Sequence, residues 1–397
     1  MPVDQAVPVD VLIVGGGIAG LWTLAKLRRA GYRAVLIESE ALGHGQTRFA
    51  QGIIHGGTKY ALTGKLTAST EALADMPATW RACHAGEGEI DLRAAVLLSD
   101  AHYLWSTTSL ASRLSGFFAS KVMRSRTAEV EDTSRPALFD RPDFRGQVYR
   151  LDEPVFDSSS LVRSIATPLL SSILAVRRES IEPGVNTLAV EDRQGNSYKF
   201  SYNKLVLMAG QGNAGLIARL GQTEPRMQLR PLKMVMVRGG LPGMIYAHCL
   251  GASVNPRVTI TSHRDLHENI VWYIGGQLAE VGVRRDNDAQ IDRAKVELAD
   301  LFPWLDLSAS QWTTLDIDRA EVRKADGSRP ATFYTEEHGD IITAWPTKLA
   351  LAPLLAADVL ERVNAADTSI STGDLPVWPV AAFAEAPWRE ESRWLLQ

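Results

Sequence analysis

A run of glycines, Gly15-Gly16-Gly17-Ile18-Ala19-Gly20, follows the apolar stretch at 10–14 and opens a segment with helical spacing. Few folds accommodate such a turn, because the strand before it must be buried and the backbone must bend where a side chain would obstruct. The pattern predicts strands at 10–14 and 34–38 around a helix over 17–30 that ends before Gly31, a β-α-β unit. Glu38 closes the second strand 18 residues after Gly20, which puts turn, helix and acid in the register of a dinucleotide fingerprint. The amides of the turn and the positive end of the helix would meet a pyrophosphate, and Glu38 would accept from both ribose hydroxyls. A carboxylate there repels a 2′-phosphate and disfavours NADP, but the fingerprint alone leaves NAD and FAD open. The bland alternative is a glycine turn that binds nothing, with Glu38 a solvated strand end.

With 397 residues the chain has room for two or three domains, and 45 % apolar against 22 % charged residues is ordinary globular composition. Forty-two basic against 46 acidic side chains give a net charge of −4, so no general attraction for nucleic acid or anionic lipid is expected. Cys83 and Cys249 lie far apart without metal-ligand spacing, so neither a metal site nor a disulfide framework is expected, and the cytoplasm is the default compartment. The N-terminus lacks the basic region of a signal peptide. The apolar stretch 11–25, 15 residues with four glycines, falls short of a membrane span. Peripheral membrane contact stays open without being indicated.

Further along, helices are expected at 66–83 and 104–123, and 124–154, charged and proline-bearing, reads as an insertion surface. An α/β pattern resumes with a helix at 158–170, strands near 173–181, 186–191 and 197–201, and LVLMAG at 205–210. Strand-like runs at 232–238, 245–249, 257–262 and 270–275, separated by glycine and proline turns, predict an antiparallel sheet and therefore a second domain. Ile291, Ala294, Leu298 and Leu301 predict a covering helix over 287–301, stopped at Phe302-Pro303. Strands at 312–320, 331–335 and 340–344, a loop at 325–330 and a helix from Thr347 to about 363 complete the map.

The segment Gly43-His44-Gly45-Gln46-Thr47-Arg48-Phe49-Ala50-Gln51-Gly52-Ile53-Ile54-His55-Gly56-Gly57-Thr58-Lys59-Tyr60 resembles the flavin-contacting stretch of the D-amino-acid-oxidase-like FAD oxidoreductases. Its core IIHGGTKY is similar to motifs of FAD-dependent glycerol-3-phosphate dehydrogenase and L-2-hydroxyglutarate dehydrogenase. Lys59 stands where the glycerol-phosphate family has arginine. Gly327-Ser328-Arg329-Pro330 is similar to the superfamily's substrate-arginine motif, and Thr347-Lys348-Leu349 to its turn into the last helix.

The fold that this resemblance implies is α/β, a Rossmann-like FAD-binding domain of glutathione-reductase type with an inserted α+β substrate domain built on an antiparallel sheet. The expected division is 1–80, 150–215 and 325–397 for the discontinuous FAD-binding domain, and 81–149 and 216–324 for the substrate domain. FAD is the implied cofactor. Its expected contacts are Gly15, Gly17, Ile18, Ala19, Gly20, Glu38 and Ser39 at the adenosine end, and Thr47, Arg48, Ala50, Gln51 and Gly52 along the pyrophosphate and flavin edge. Ile181 would meet adenine by backbone, Ala209 and Gly210 would pass the pyrophosphate, and Thr347, Lys348 and Leu349 would face the flavin. Thr347 as N-cap would aim amides at the flavin C2 carbonyl, with Lys348 beside it, or Lys348 is a solvated first-turn lysine.

Arg329 is the candidate for gripping a substrate carboxylate or phosphate, against an exposed loop salt bridge. Lys59, Tyr60 and His55 could add charge, a hydroxyl donor or a proton acceptor, and His55 reads equally as a core histidine. His248, His263 and Tyr273 fall on the expected antiparallel sheet, where facing is not fixed by the pattern, and His44 has no firm support as a covalent flavin link. The implied activity is hydride removal from a small anionic amino acid, amine or 2-hydroxy acid, with dioxygen, a quinone or another carrier as electron acceptor. The alternatives are a flavin monooxygenase, prompted by Gly339-Asp340 ahead of Pro346, and a non-catalytic FAD-binding redox sensor.

Overall fold

The computed structural model describes residues 6–57, 72–107, 127–130, 135–251, 255–328, 330–365 and 374–394. Val7–Val14 lies inside a sheet with Ala34–Glu38 on one side and Ser197–Leu207 on the other, both parallel to it. Its near-continuous apolar run follows from this position, because both faces are covered: Val11 and Ile13 enter one core, Val9, Leu12 and Val14 the opposite one. Ile173–Ala175 and Ile341–Trp345 extend the parallel part outward, and Tyr334–His338 adds an antiparallel edge. Ser197–Leu207 is one continuous strand, so the two short strands expected at 197–201 and 205–210 are joined.

The helix Ile18–Arg29 buries Ile18, Leu21, Trp22, Leu24 and Leu27 and carries Lys26, Arg28 and Arg29 in its last turn, where cations suit the helix dipole. Ala352–Ala365 packs against it, and Ser158–Ala166 starts at Asp157, whose carboxylate accepts from Ser160 N at 2.6 Å.

The second sheet runs Gln311–Val322, Met227–Arg238, Ile270–Gly275, Val258–Arg264, Ala247–Cys249, His102–Ser106, Gln147–Leu151, Thr127–Glu129. Residues 104–106, assigned to a helix over 104–123, belong to the strand His102–Ser106, whose aromatic and leucine side chains pack between two strand neighbours; 108–126 lies outside the described residues. Nor is the sheet wholly antiparallel, since Ala247–Cys249 pairs with His102–Ser106 in parallel. The same strands show that 124–154 is not merely surface: Gln147–Leu151 lies within the sheet. Helix Asn287–Leu301, at its expected bounds and capped by Asp286, covers one face of this sheet through Ile291, Ala294, Leu298 and Leu301. On the other face Met236, Tyr273 and Leu315 pack with Trp388 and Trp394 of the C-terminal segment. Among the described residues, no helix is long and apolar enough to cross a membrane.

Candidate active site

The buried strand Val7–Val14 delivers Gly15 to a turn with φ +115°, where a Cβ would stand 2.5 Å from the Met208 carbonyl oxygen at the end of the neighbouring strand. The fold therefore demands glycine there. One helical turn on, a Cβ at Gly20 would stand 1.9 Å from the Gly15 oxygen, which is how closely helix and strand approach. Gly16 N donates to Glu38 Oε2 at 2.5 Å and Glu40 N to Oε1 at 2.7 Å. Burial pushes the Glu38 carboxyl up, and these amides oppose the shift without cancelling it. Thr47 Oγ1 accepts from Ile18 N at 3.1 Å, so the start of the helix is capped from the loop after Glu38.

A cavity of 1160 Å³ opens at this turn, larger than the about 300–1,000 Å³ of ordinary ligand pockets. Gly15, Gly17, Ile18, Ala19, Glu38 and Ser39 line it, and Ile181, Ala209 and Gly210 add wall from the first sheet's side. Thr47, Ala50, Gln51 and Gly52 line it too, as do Thr347, Lys348 and Leu349. Leu232, Met234, His248 and Thr259 bring the second sheet to the same space. Gln51 ties this loop to the second sheet, its Nε2 donating to Tyr273 O at 3.1 Å and, at 3.4 Å, to Thr261 Oγ1.

His55 enters this wall on a short ladder. Phe156 N donates to Gly52 O at 3.0 Å, Ile54 N donates to Pro154 O at 2.9 Å, and Ile53 bridges Val155. Gly52 has φ +75°, and a Cβ there would stand 1.8 Å from the Phe156 oxygen, so the two runs approach this closely only with glycine. The ladder sets Glu153, 2 % exposed, beside His55: Oε2 lies 3.1 Å from Nδ1, and Oε1 accepts from Gly56 N at 2.8 Å. Burial raises the Glu153 carboxyl, but the His55 hydrogen bond and charge, the nearby His102 and the Gly56 amide together outweigh it and hold the carboxyl below its usual range. His248 stacks on His55 with ring centroids 5.5 Å apart at 17°, and its Nδ1 is 2.7 Å from Thr259 Oγ1. His102 meets His248 edge-on at 4.1 Å. Among the described residues, no group of three or more His, Cys, Asp or Glu is arranged to hold a metal ion.

Thr347 does not cap the final helix. Its φ is +58°, its hydroxyl donates to Thr332 O at 3.0 Å, and a short 3-10 turn, Leu349–Leu351, precedes Ala352–Ala365. A left-handed residue two positions before that turn cannot supply the extended N-cap geometry, which falls to Lys348. Arg48 turns away from its expected place: its guanidinium pairs with Glu390 at 2.7 Å and lies 4.6 Å over the Phe49 ring. His263 stacks on Trp388 at 3.5 Å, and the Tyr273 hydroxyl donates to Phe49 O at 3.1 Å, which makes both part of the packing behind the loop. Lys59, Tyr60 and Arg329 lie outside the described residues. Glu153 carries no distinguishing signal in the sequence, where it is one of two adjacent acids and its partner is 98 positions away.

The family model for FAD dependent oxidoreductases matches residues 10–337. A probable FAD-dependent oxidoreductase of Pseudomonas aeruginosa is 48 % identical over 391 residues, 97 % of this chain and 98 % of that protein. Its crystal structure covers 98 % of this chain and 99 % of its own, with a TM-score of 0.85 and 43 % identity. Glycine oxidase from Geobacillus kaustophilus (TM-score 0.62, 17 % identity, 93 % and 98 % covered) shares the fold. So does L-alpha-glycerophosphate oxidase from Mycoplasma pneumoniae, solved with FAD bound (TM-score 0.63, 13 % identity, 96 % and 98 % covered).

Proposed function

The chain belongs to the family of FAD-dependent oxidoreductases, and from that premise we propose that it removes a hydride from a small anionic amino acid, amine or 2-hydroxy acid. It is an enzyme and takes FAD; the glycine turn that admits no Cβ and the cavity beside it fit that cofactor. The observation that carries the reading is a single cavity lined both by the fingerprint and by His55, His248 and Lys348. Bound FAD supplies the two-electron acceptor.

The chain's own residues bind and orient. In this reading Gly15, Gly17 and the first turn at Ile18, Ala19 and Gly20 hold the pyrophosphate, while Glu38 and Ser39 hold the ribose end. Thr47, Ala50, Gln51, Gly52, Ile181, Ala209 and Gly210 shape the remaining wall. Arg48 supports that loop from behind through Glu390. Lys348, with the backbone of Thr347 and Leu349, offers positive charge where electrons accumulate. Arg329 and Lys59 grip the substrate's anionic group, Tyr60 donates to it, and His55 takes the proton from the reacting heteroatom.

The domain division belongs to the same proposal: a Rossmann-like unit of glutathione-reductase type from 1–80, 150–215 and 325–397, and a substrate unit from 81–149 and 216–324. Two sheets with the cavity between them support it. Reoxidation by dioxygen, a quinone or another carrier completes the cycle, and the free, buried Cys83 and Cys249 suit a cytoplasmic setting. The test is anaerobic mixing of the yellow holoenzyme with panels of amines, amino acids, hydroxy acids and polyol phosphates. Bleaching of the flavin band by an amine, an amino acid or a hydroxy acid supports the reading, bleaching by a polyol phosphate alone overturns the substrate class, and an unbleached flavin across all of them removes the reading.

A further inference from the structure

We propose that the Glu153–His55 pair is a built acceptor for a hydroxyl proton, so that the electron donor of this enzyme is an alcohol, a 2-hydroxy acid or polyol phosphate, and not an amine. The inference rests on the oxidoreductase reading above and moves its substrate class to donors that carry a hydroxyl. It starts from geometry. Glu153 is buried, takes the Gly56 amide on one oxygen at 2.8 Å and faces His55 Nδ1 with the other at 3.1 Å. A carboxylate at Nδ1 fixes the tautomer with hydrogen there, leaves the basic lone pair on Nε2, and stabilises the imidazolium formed when Nε2 takes a proton. The pair is costly to assemble, since a buried acid needs compensation at every oxygen, and the Gly52 approach to Phe156 serves to bring it about.

Amine and alcohol chemistry differ in their need for such a pair. An amine that arrives as ammonium gives up its extra proton before the hydride step; the neutral amine then pushes hydride out with its own lone pair and leaves as an iminium ion, so no base has to act as the hydride departs. An alcohol that loses hydride while keeping its proton becomes a protonated carbonyl, a very strong acid, so the O–H proton must depart with the hydride. The balanced step is therefore this: the C–H bond breaks and its hydrogen and electron pair pass to FAD, the O–H bond breaks and its proton passes to His55 Nε2, and the C=O double bond forms. The donor is oxidised by two electrons and FAD is reduced by two. Among the described residues, the titratable groups whose contacts with His55 are resolved are Glu153, His248 stacked on it, and His102 at 6.5 Å. Glu153 provides the counter-charge to a protonated His55.

The experiment is anaerobic stopped-flow reduction of the holoenzyme by two panels at matched concentrations. One contains glycolate, both lactates, malate, 2-hydroxyglutarate and glycerol 3-phosphate; the other contains glycine, alanine, proline, sarcosine and glutamate. Reduction by a member of the first panel and none of the second is expected. The Glu153→Gln holoenzyme, confirmed yellow, should then show a plateau rate about 10²-fold lower, and the pH limb of reduction should move to lower pH because the imidazolium has lost its counter-charge. If Glu153→Gln retains no flavin, His55→Asn serves as the second variant, with the same loss of rate and no pH limb. Reduction by amines alone overturns the alcohol assignment and leaves the oxidoreductase reading standing. Reduction by neither panel overturns both, and an unshifted pH limb in a flavin-replete Glu153→Gln enzyme overturns the role of the pair.

Discussion

Gly52 and Phe156 approach so closely that a β-carbon on Gly52 would stand 1.8 Å from the Phe156 carbonyl oxygen. This contact fixes the register of the run carrying His55 against the run carrying Glu153.

Replacing Gly52 should therefore act on stability and on the site together. Gly52→Ala must place a β-carbon at φ +75° and push two backbone runs apart, for which a loss of about 3 kcal/mol or more is expected. Urea unfolding of the holoenzyme measures the loss, and a variant within 1 kcal/mol of wild type would mean the ladder is softer than described.

Thr347 presents the opposite balance. A β-branched residue at φ +58° costs about 1–3 kcal/mol, and the hydroxyl bond to Thr332 O returns about 1 kcal/mol. Thr347→Gly relieves the strain but loses the bond and adds unfolded-state entropy, so its midpoint should stay within about 1 kcal/mol of wild type. Thr347→Val keeps the strain without the bond and should be less stable by about 1 kcal/mol or more. Thermal melts of the two variants should separate in that order.

His263 governs part of the acid response. Burial lowers its pKa from 6.5 to about 3, so the folded protein holds it neutral while the unfolded chain protonates it. Stability from this group is complete above pH 6.5 and is lost as pH falls toward 3, with about 3 kcal/mol gone near pH 4.5. His263→Phe keeps a ring on Trp388 and removes the proton site, so its stability should fall less steeply between those limits. Denaturant midpoints at several pH values provide the comparison, and parallel curves would contradict it.

Arg48 distinguishes a strut from a ligand. Its guanidinium is committed to Glu390, which keeps Arg393 as a second partner, so Arg48→Ala should cost only about 1 kcal/mol of stability. The FAD dissociation constant should change by less than about tenfold. A rise of about a hundredfold that vanishes in high salt would instead indicate a direct pyrophosphate contact.

The fingerprint was legible because its constraints are local: strand, turn, helix and Glu38 fall within one β-α-β unit, and each leaves a pattern in consecutive residues. The helix over 287–301 was legible for the same reason, its apolar spacing and its Phe302-Pro303 stop being adjacent. The strand at His102–Ser106 was not, because what holds it is a parallel neighbour at 247–249 and an antiparallel one at 147–151. At Thr347 residue type and backbone diverge: threonine is a good N-cap, and its left-handed backbone is set by the surrounding chain, with a tether to Thr332. Glu153 shows the limit most clearly, since burial turns one of two neighbouring acids into the partner of a distant histidine.

The order of strands in the first sheet also carries a consequence for synthesis. The wall against Gly15 is the carbonyl of Met208, and Val7–Val14 is held on its far side by Ser197–Leu207. A nascent chain thus releases its glycine turn early and waits for most of the intervening sequence to leave the ribosome before that turn has its second wall. Flavin capture should be a late event of translation, and a ribosome stalled before residue 208 should carry a colourless chain.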